Sequence, residues 1–236
     1  MLDIYHLYEG GEVTVILADG LKEFQNDIET WSLTLKLEKC GSEVLSDIRN
    51  TEGEPSKEIL TRARSFIIGI ERWKGMCMKE RMGNAEKNDE SLIWSSLCGA
   101  AESMKDTNDK SALLSIMRLK GFGSSTDDET GLRRAKVATS VLRFLFPREW
   151  GVVDWRTAAF ISILKKNNKD VDKALVEARN NDRREMKACF DIIDEDGACE
   201  FNHQYRDYIS EQLPRNADVD MALFGLSLTA WPFKVR

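Results

Sequence analysis

Residues 111–166 decide the fold and have the sequence SALLSIMRLKGFGSSTDDETGLRRAKVATSVLRFLFPREWGVVDWRTAAFISILKK. The stretch contains a short amphipathic helix pattern, a tight turn at Gly121-Phe122-Gly123, a second helix pattern, and an apolar run that ends at Asp154. We predict two helices joined by the turn and followed by a single carboxylate. The rest of the chain is interpreted as support for this unit.

Local signals set the predicted boundaries of these helices. Gly121 ends the first helix because glycine adopts backbone angles that other residues avoid. The second helix is predicted over 133–146 and stops at Pro147. Asp154 is a candidate N-cap for a third helix that runs to about Lys166.

The remaining segments also favour helices. Helical spacing of apolar residues predicts further helices over 57–77, 93–104, 171–178, 186–193 and 219–230. Asp194–Cys199 is predicted to be a turn. The first 57 residues have mixed patterns, and a short strand is one option at Val13–Leu17. The predicted fold class is mainly α.

Composition limits the function classes. The chain has 236 residues and a formal net charge of −6. No apolar run approaches the roughly 20 residues that a membrane span requires, and the first residues lack a signal-peptide layout. We therefore expect a cytoplasmic monomer without a membrane partner.

Cysteine and histidine patterns argue against disulfide, zinc and histidine-triad chemistry. The five cysteines are dispersed and form no C-x-x-C pair. The two histidines, His6 and His203, lie far apart in sequence. Any chemistry must then come from carboxylate, hydroxyl or lysine groups, and no metal site is expected. The cysteines are Cys40, Cys77, Cys98, Cys189 and Cys199.

The segment around the turn is positive within an acidic chain. Residues 111–150 contain seven cations and four anions. This excess is compatible with a local phosphate site, although charges on helix surfaces are commonly only solvated. The cations are Arg118, Lys120, Arg133, Arg134, Lys136, Arg143 and Arg148.

The residues 119–123, LKGFG, together with the later Val152-Val153-Asp154, resemble the helix-hairpin-helix DNA glycosylase superfamily. The hallmark of that superfamily is an L-x-G-h-G hairpin followed by an apolar-Asp step. Backbone amides of such a hairpin can hold a phosphate. Two features depart from the pattern: residues 126–132 are a polar insertion, and Lys120 stands where the family commonly has proline.

The resemblance implies a chemical role for Asp154, which matches the family's catalytic aspartate. Members that also cut the backbone carry a lysine two positions after the second glycine, where Ser125 stands in this chain. The resemblance therefore implies a monofunctional glycosylase that leaves an abasic site. Lys120 and Lys136 remain alternatives as a lyase nucleophile if the insertion reshapes the hairpin.

The resemblance further implies duplex DNA with a flipped-out nucleotide as the partner. A monovalent cation at the hairpin is an option, and no other cofactor is expected, since only two cysteines lie near the C-terminus where some relatives bind an iron–sulfur cluster. Candidate DNA-binding residues are Arg118, Lys120, Gly121, Phe122, Gly123, Ser124, Ser125, Arg133, Arg134 and Arg156. Candidate residues for a base pocket are Trp73, Trp94, Trp150 and Trp155.

The family architecture implies two helical domains flanking a cleft. One, barrel-like, would span 55–167, and the second would combine 1–54 with 168–236. Two other functions stay open: a DNA-binding module without catalysis, and a helical protein-interaction scaffold in which the hairpin is only a turn. For Asp154 the structural alternative is a plain helix N-cap, and each tryptophan taken alone is more often a core residue than part of a pocket.

Overall fold

The computed structural model describes residues 20–22, 24–25, 28–75, 83–123, 135–210 and 212–232. Within these ranges the chain is mainly helical and contains no strand, which confirms the predicted mainly α class. The proposed strand at Val13–Leu17 lies outside the described residues. None of the described helices is both long and apolar enough to cross a membrane.

The helices follow one another along the chain. Within the described ranges, two 3-10 helices lie at Ala85–Lys87 and Arg206–Tyr208. The α-helices are α1 Ile28–Asn50, α2 Lys57–Gly75, α3 Glu90–Lys105, α4 Asp109–Met117, α5 Lys136–Leu145, α6 Trp155–Lys166, α7 Val171–Asn180, α8 Arg183–Cys189, α9 Glu195–Tyr205 and α10 Asn216–Ala230.

Polar side chains begin several of these helices. Asp89 accepts a hydrogen bond from the Leu92 amide at 2.7 Å at the start of α3, and Asn108 accepts one from the Ser111 amide at 3.0 Å at the start of α4. Each cap satisfies an amide that the first helical turn leaves without a partner. The predicted stop after α5 is also observed, since the helix ends just before Pro147.

The first long helix, α1, is continuous through a region where the sequence pattern was mixed. Its buried face consists of Thr34, Leu37, Gly41 and Val44, so half of that face is not strongly apolar. A Cβ added to Gly41 would lie 2.1 Å from the backbone oxygen of Phe144. The helix therefore approaches α5 through backbone contact, which hydrophobic periodicity does not reveal.

Two C-terminal predictions are wrong. Asp194–Cys199 is not a turn, because Asp194 accepts the Gly197 amide at 2.8 Å and thereby caps α9. The helix predicted over 186–193 is shifted toward the N-terminus: α8 ends at Cys189, and 190–193 forms a non-helical link. Asp and Gly favour both turns and helix starts, so local composition alone does not distinguish them.

The buried apolar residues form one contiguous cluster. It includes Leu37 of α1, Phe66 of α2 and Leu223 of α10. Helix α1 packs against α2 and α5, and α10 packs against α6 and α7. The cluster thus includes residues from both predicted domains, 55–167 and 1–54 combined with 168–236. The domain boundaries at 55 and 167 stay a prediction.

A buried ion network joins the two ends of the chain to its centre. Arg143 of α5 is fully buried, and its Nη2 atom lies 2.7 Å from Oε1 of Glu38 in α1. Its Nε atom lies 4.0 Å from Oδ2 of Asp220 in α10. Arg143 was counted among the cations around the turn, and this expectation is corrected, since a guanidinium in the core cannot meet a phosphate on the surface.

Candidate active site

Asp154 lies at the N-cap of α6 with its two carboxylate oxygens in different environments. Oδ1 accepts hydrogen bonds from the amides of Arg156 at 2.9 Å and Thr157 at 3.2 Å. Oδ2 lies 3.5 Å from Nζ of Lys74, and 17% of the Asp154 side chain is exposed. The predicted N-cap is therefore confirmed, and the second oxygen is left next to an amine at the edge of solvent.

The three residues before Asp154 run in a non-helical segment that four buried side chains hold by its backbone. These residues come from α5, α9 and α10, so the position of Asp154 depends on distant parts of the chain. Since the segment lies in no sheet, its polar groups depend on these side chains. Asn202 accepts the Gly151 amide at 3.0 Å, Tyr205 donates to the Val152 oxygen at 2.7 Å, Thr139 accepts the Val153 amide at 3.1 Å, and Asp220 packs directly against Gly151.

A second amine lies near Asp154. Lys136, in the first turn of α5, places its Nζ atom 3.0 Å from Oδ1 of Asp191, and 15% of its side chain is exposed. Burial lowers the pKa of Lys136, and the nearby carboxylates of Asp191 and Asp154 oppose this shift in part. At neutral pH the lowered pKa increases the share of uncharged, nucleophilic amine.

The glycine turn is held rigidly from one side. Gly121 and Gly123 have positive φ angles of 90° and 123°, the left-handed region that favours glycine. The buried side chain of Asn88 accepts the Lys120 amide at 2.8 Å and donates to the Lys120 oxygen at 3.1 Å. Phe122 packs fully into the core. The turn is therefore anchored to the rest of the protein through Asn88 and Phe122.

The C-terminal end of α2 connects the turn to Asp154. Glu71 accepts the amides of Gly83 at 2.9 Å and Ala85 at 3.1 Å, and its Oε1 atom would lie 3.4 Å from a Cβ added to Gly121. Lys74, three residues further along, faces Asp154. Residues three apart lie on the same helix face about 4.5 Å apart along the axis. The glycine turn and the carboxylate thus lie next to the same end of one helix.

Three of the predicted DNA-contacting residues have the exposure that such a role requires, and two others do not. Arg118, Lys120 and Gly121 are exposed. Phe122 is fully buried, and Arg156 is only 2% exposed and donates from Nη1 to the Trp231 oxygen at 2.6 Å. Both side chains therefore have structural roles, and their assignment as DNA contacts is corrected. Ser124, Ser125, Arg133 and Arg134 lie outside the described residues.

The tryptophans proposed for a base pocket are largely structural. Trp150 is fully buried, which excludes it from an open pocket in this structure. Trp73 donates from Nε1 to Thr34 at 2.9 Å and stacks edge-on against Phe144. Trp155 and Trp94 are partly buried against the core. Trp155 directly follows Asp154, and of the four it is the one best placed to border the site.

Sequence reasoning missed three residues around Asp154 and Lys136: Lys74, Asp191 and Asp220. Lys74 and Asp220 lie near Asp154, whereas Asp191 pairs with Lys136. Tertiary packing alone brings these residues together. Lys74 lies in the last turn of α2, a helix that the apolar spacing predicts. A cation in that last turn was the signal in the sequence that could have pointed to Lys74. Asp191 and Asp220 had no signal in the local pattern.

Comparisons with known proteins do not indicate a function, so the function is inferred from the geometry of the site. A scan against protein-family models and searches of curated proteins and solved structures each found no match for this chain. Among the described residues, no group of three or more His, Cys, Asp or Glu side chains is arranged to hold a metal ion. The chemistry that the described site can offer is that of one carboxylate, Asp154, flanked by two amines.

Proposed function

We propose that this protein is a DNA N-glycosylase in which Asp154 assists departure of a damaged or modified base. The observation that carries the proposal is the split environment of the Asp154 carboxylate. One oxygen is fixed by the helix cap, and the other is directed toward Lys74 at the edge of solvent. A plain N-cap does not require a lysine within 3.5 Å of its second oxygen.

The proposed chemistry needs a fixed negative charge. As the bond between base and sugar breaks, its electrons leave with the base and positive charge develops on the sugar ring. A carboxylate held a few ångströms away stabilises that charge and orients water for attack at C1′. Since Asp154 is anchored by its own helix and by the held segment before it, little reorganisation is needed in the transition state.

The glycine turn supports the proposed partner. Gly121 and Gly123 have no side chain of their own, which favours approach of a phosphate oxygen to the backbone on the solvent side of the turn. Arg118 and Lys120 are exposed beside the turn and add positive charge. The glycine backbone and the exposed cations together support contact with a DNA backbone, with the flipped nucleotide reaching toward Asp154.

A panel of duplex DNAs tests the proposal. Each carries one oxidised, alkylated, deaminated or hypermodified base and is incubated with the protein, and abasic sites are then cleaved with alkali. We expect base release, detected as strand breaks after the alkali treatment, on at least one substrate, and we expect it to disappear in Asp154→Asn. Tight binding to duplex DNA without any abasic product would favour a DNA-binding module. Absence of any salt-sensitive DNA affinity would favour a protein-interaction scaffold.

Lys136 supports a second activity, cleavage of the backbone at the abasic site. Its lowered pKa and its position near Asp154 suit an amine nucleophile, whereas Lys120 is exposed on the turn. In this reaction the neutral amine bonds to C1′ as the base leaves with the bonding electrons. The nitrogen then loses a proton and its lone pair forms the imine bond, while the C1′–O4′ bond breaks and O4′ takes those electrons and a proton. Loss of a C2′ proton then expels the 3′ phosphate.

Borohydride trapping tests the lyase activity, because it reduces the imine to a stable covalent complex. We expect wild type, Lys74→Gln and Lys120→Gln to be trapped on substrate DNA and Lys136→Gln not to be trapped. Base release by Lys136→Gln, detected with alkali, would remain measurable. No trapping of the wild type, with alkali-dependent breaks, would restrict the protein to the monofunctional reaction.

A further inference from the structure

Asp220 is a buried carboxylate that lies beneath the segment leading to Asp154. It belongs to α10, near the C-terminal end of the chain, and is only 5% exposed. A Cβ added to Gly151 would lie 2.7 Å from the Cβ of Asp220, so the segment backbone rests directly on this residue. The Val152 amide, two residues before Asp154, lies close enough to the Asp220 carboxylate to favour its ionised form.

We propose that Asp220 is a positioning residue that controls the placement and local charge of Asp154 through the Val152 peptide. The inference rests on the proposed function and deepens it by assigning a control element to the same site. Asp220 does not reach the substrate. It acts on the backbone that carries Asp154, and its own charge adds to the negative potential where positive charge develops on the sugar.

The surroundings of Asp220 shift its pKa toward neutral pH, so the charge of its carboxyl group changes there. Burial raises the pKa of Asp220 to about 7, while Arg143 and the Val152 amide oppose the shift. Tyr205, beside it, keeps its proton because burial raises its pKa well above the ordinary value. The charged and titratable groups around Asp220 are Arg143 of α5, Lys74 of α2, Tyr205 of α9 and Asp154. Three further charged groups interact with Arg143: Glu38 of α1, and Arg215 and Asp218 at the start of α10.

The direction of the effect follows from the two charge states. Above pH 7 the ionised carboxylate attracts the Val152 amide and adds negative potential near Asp154. Below pH 7 the neutral acid holds the amide more weakly and adds no charge. Base release is therefore expected to fall as the pH drops through about 7.

The activity test compares wild type with Asp220→Asn, in which the side-chain oxygen can still lie next to the Val152 amide but cannot ionise. We expect the single-turnover rate of wild type to fall about tenfold from pH 8 to pH 6, the change in ionised fraction for a pKa of about 7. The Asp220→Asn rate is expected to change less than about twofold over this range. The matched control is Asp218→Asn, a buried carboxylate of the same helix that bonds Arg215 at 2.9 Å, which should keep the wild-type profile.

A measurement without substrate separates failure of this inference from failure of the proposed function. The amide resonances of Val152 and Asp154 are followed by NMR from pH 5 to pH 9. We expect a shared inflection near pH 7 in wild type and in Asp218→Asn, and its loss in Asp220→Asn. An unchanged pH profile in Asp220→Asn, or no inflection at either amide in wild type, would overturn the role of Asp220 whether or not base release is found.

Discussion

At the residue scale, Asp154 combines structural and chemical features in one side chain. Local sequence suffices to place it, because an aspartate after an apolar run and before a helix pattern is a natural N-cap. Its surroundings are not predictable in this way. Lys74, Lys136 and Asp220 come from three different helices, and no local pattern signals that they converge. Sequence thus identifies the carboxylate, and tertiary structure supplies the groups that set its environment.

The buried charge of Asp220 predicts an unusual pH dependence of stability. Because its folded pKa of about 7 exceeds the unfolded value of 3.8, the folded state binds the extra proton between these values. The contribution of Asp220 to the free energy of unfolding is fully present below about pH 3.8 and is lost as the pH rises toward 7. At pH 8 this loss amounts to about 4 kcal/mol at most. Asp220→Asn does not ionise and avoids it.

We therefore expect the unfolding free energy of Asp220→Asn, relative to wild type, to rise between pH 5 and pH 8. Urea unfolding at several pH values measures this difference. The other ionisable groups are shared by the two proteins, so their contributions largely cancel. A difference that stays constant with pH would show that Asp220 ionises at its ordinary pKa and would remove this prediction.

At the scale of single helices, the sequence largely predicts which segments are helical. It does not predict where two helices come closest together. The helices around the turn carry clear apolar periodicity, and their predicted stops at Gly121 and Pro147 are observed. Helix α1 was missed because Thr34 and Gly41 occupy its buried face in place of large apolar residues. Helix α9 was interpreted as a turn because its N-terminal residues suit both structures. Sequence patterns therefore fail where backbone proximity or capping replaces hydrophobic burial.

We predict that a substitution in the glycine turn weakens DNA binding in addition to lowering stability. Gly121→Ala places a Cβ at φ 90° and 3.0 Å from the Cβ of Asn84. The backbone strain costs about 1–2 kcal/mol of stability, and the rearranged turn should weaken DNA affinity. Fluorescence anisotropy with labelled duplex DNA measures affinity, and thermal unfolding measures stability.

Gly53→Ala is the matched control for the turn. Gly53 has a similar φ of 83°, but a Cβ there meets nothing within 4 Å. We expect a comparable loss of stability and unchanged DNA affinity. Equal affinities for the two variants would show that the turn at Gly121 takes no part in DNA binding.

At the scale of the whole molecule, Arg143 ties both ends of the chain to the helix after the turn. It meets Glu38 of α1 and Asp220 of α10 in the core. The same packing brings the N-terminal and C-terminal helices against the unit that carries Asp154. An acidic protein with a net charge of −6 can still present a local site to DNA, because its exposed cations at the turn act over a Debye length of about 10 Å.

Removal of Arg143 predicts a large loss of stability. Arg143→Met leaves the carboxylates of Glu38 and Asp220 in the core without this cation, which costs about 3–5 kcal/mol. The control Arg148→Met changes an exposed arginine five residues away and should alter stability by less than about 0.5 kcal/mol. Urea denaturation of both variants measures the difference. Similar midpoints for the two would contradict the structural role of Arg143.

The central claim is tested most directly by separating DNA binding from base release in Asp154→Asn. Asparagine caps a helix about as well as aspartate, so the fold should be retained while the charge is lost. Asp170→Asn, at the N-cap of α7, makes the same change away from the site. We predict that Asp154→Asn binds substrate DNA like wild type but releases base at least about 100-fold more slowly in single turnover, whereas Asp170→Asn is unaffected. A wild-type rate in Asp154→Asn would contradict the assignment of Asp154 and with it the proposed function.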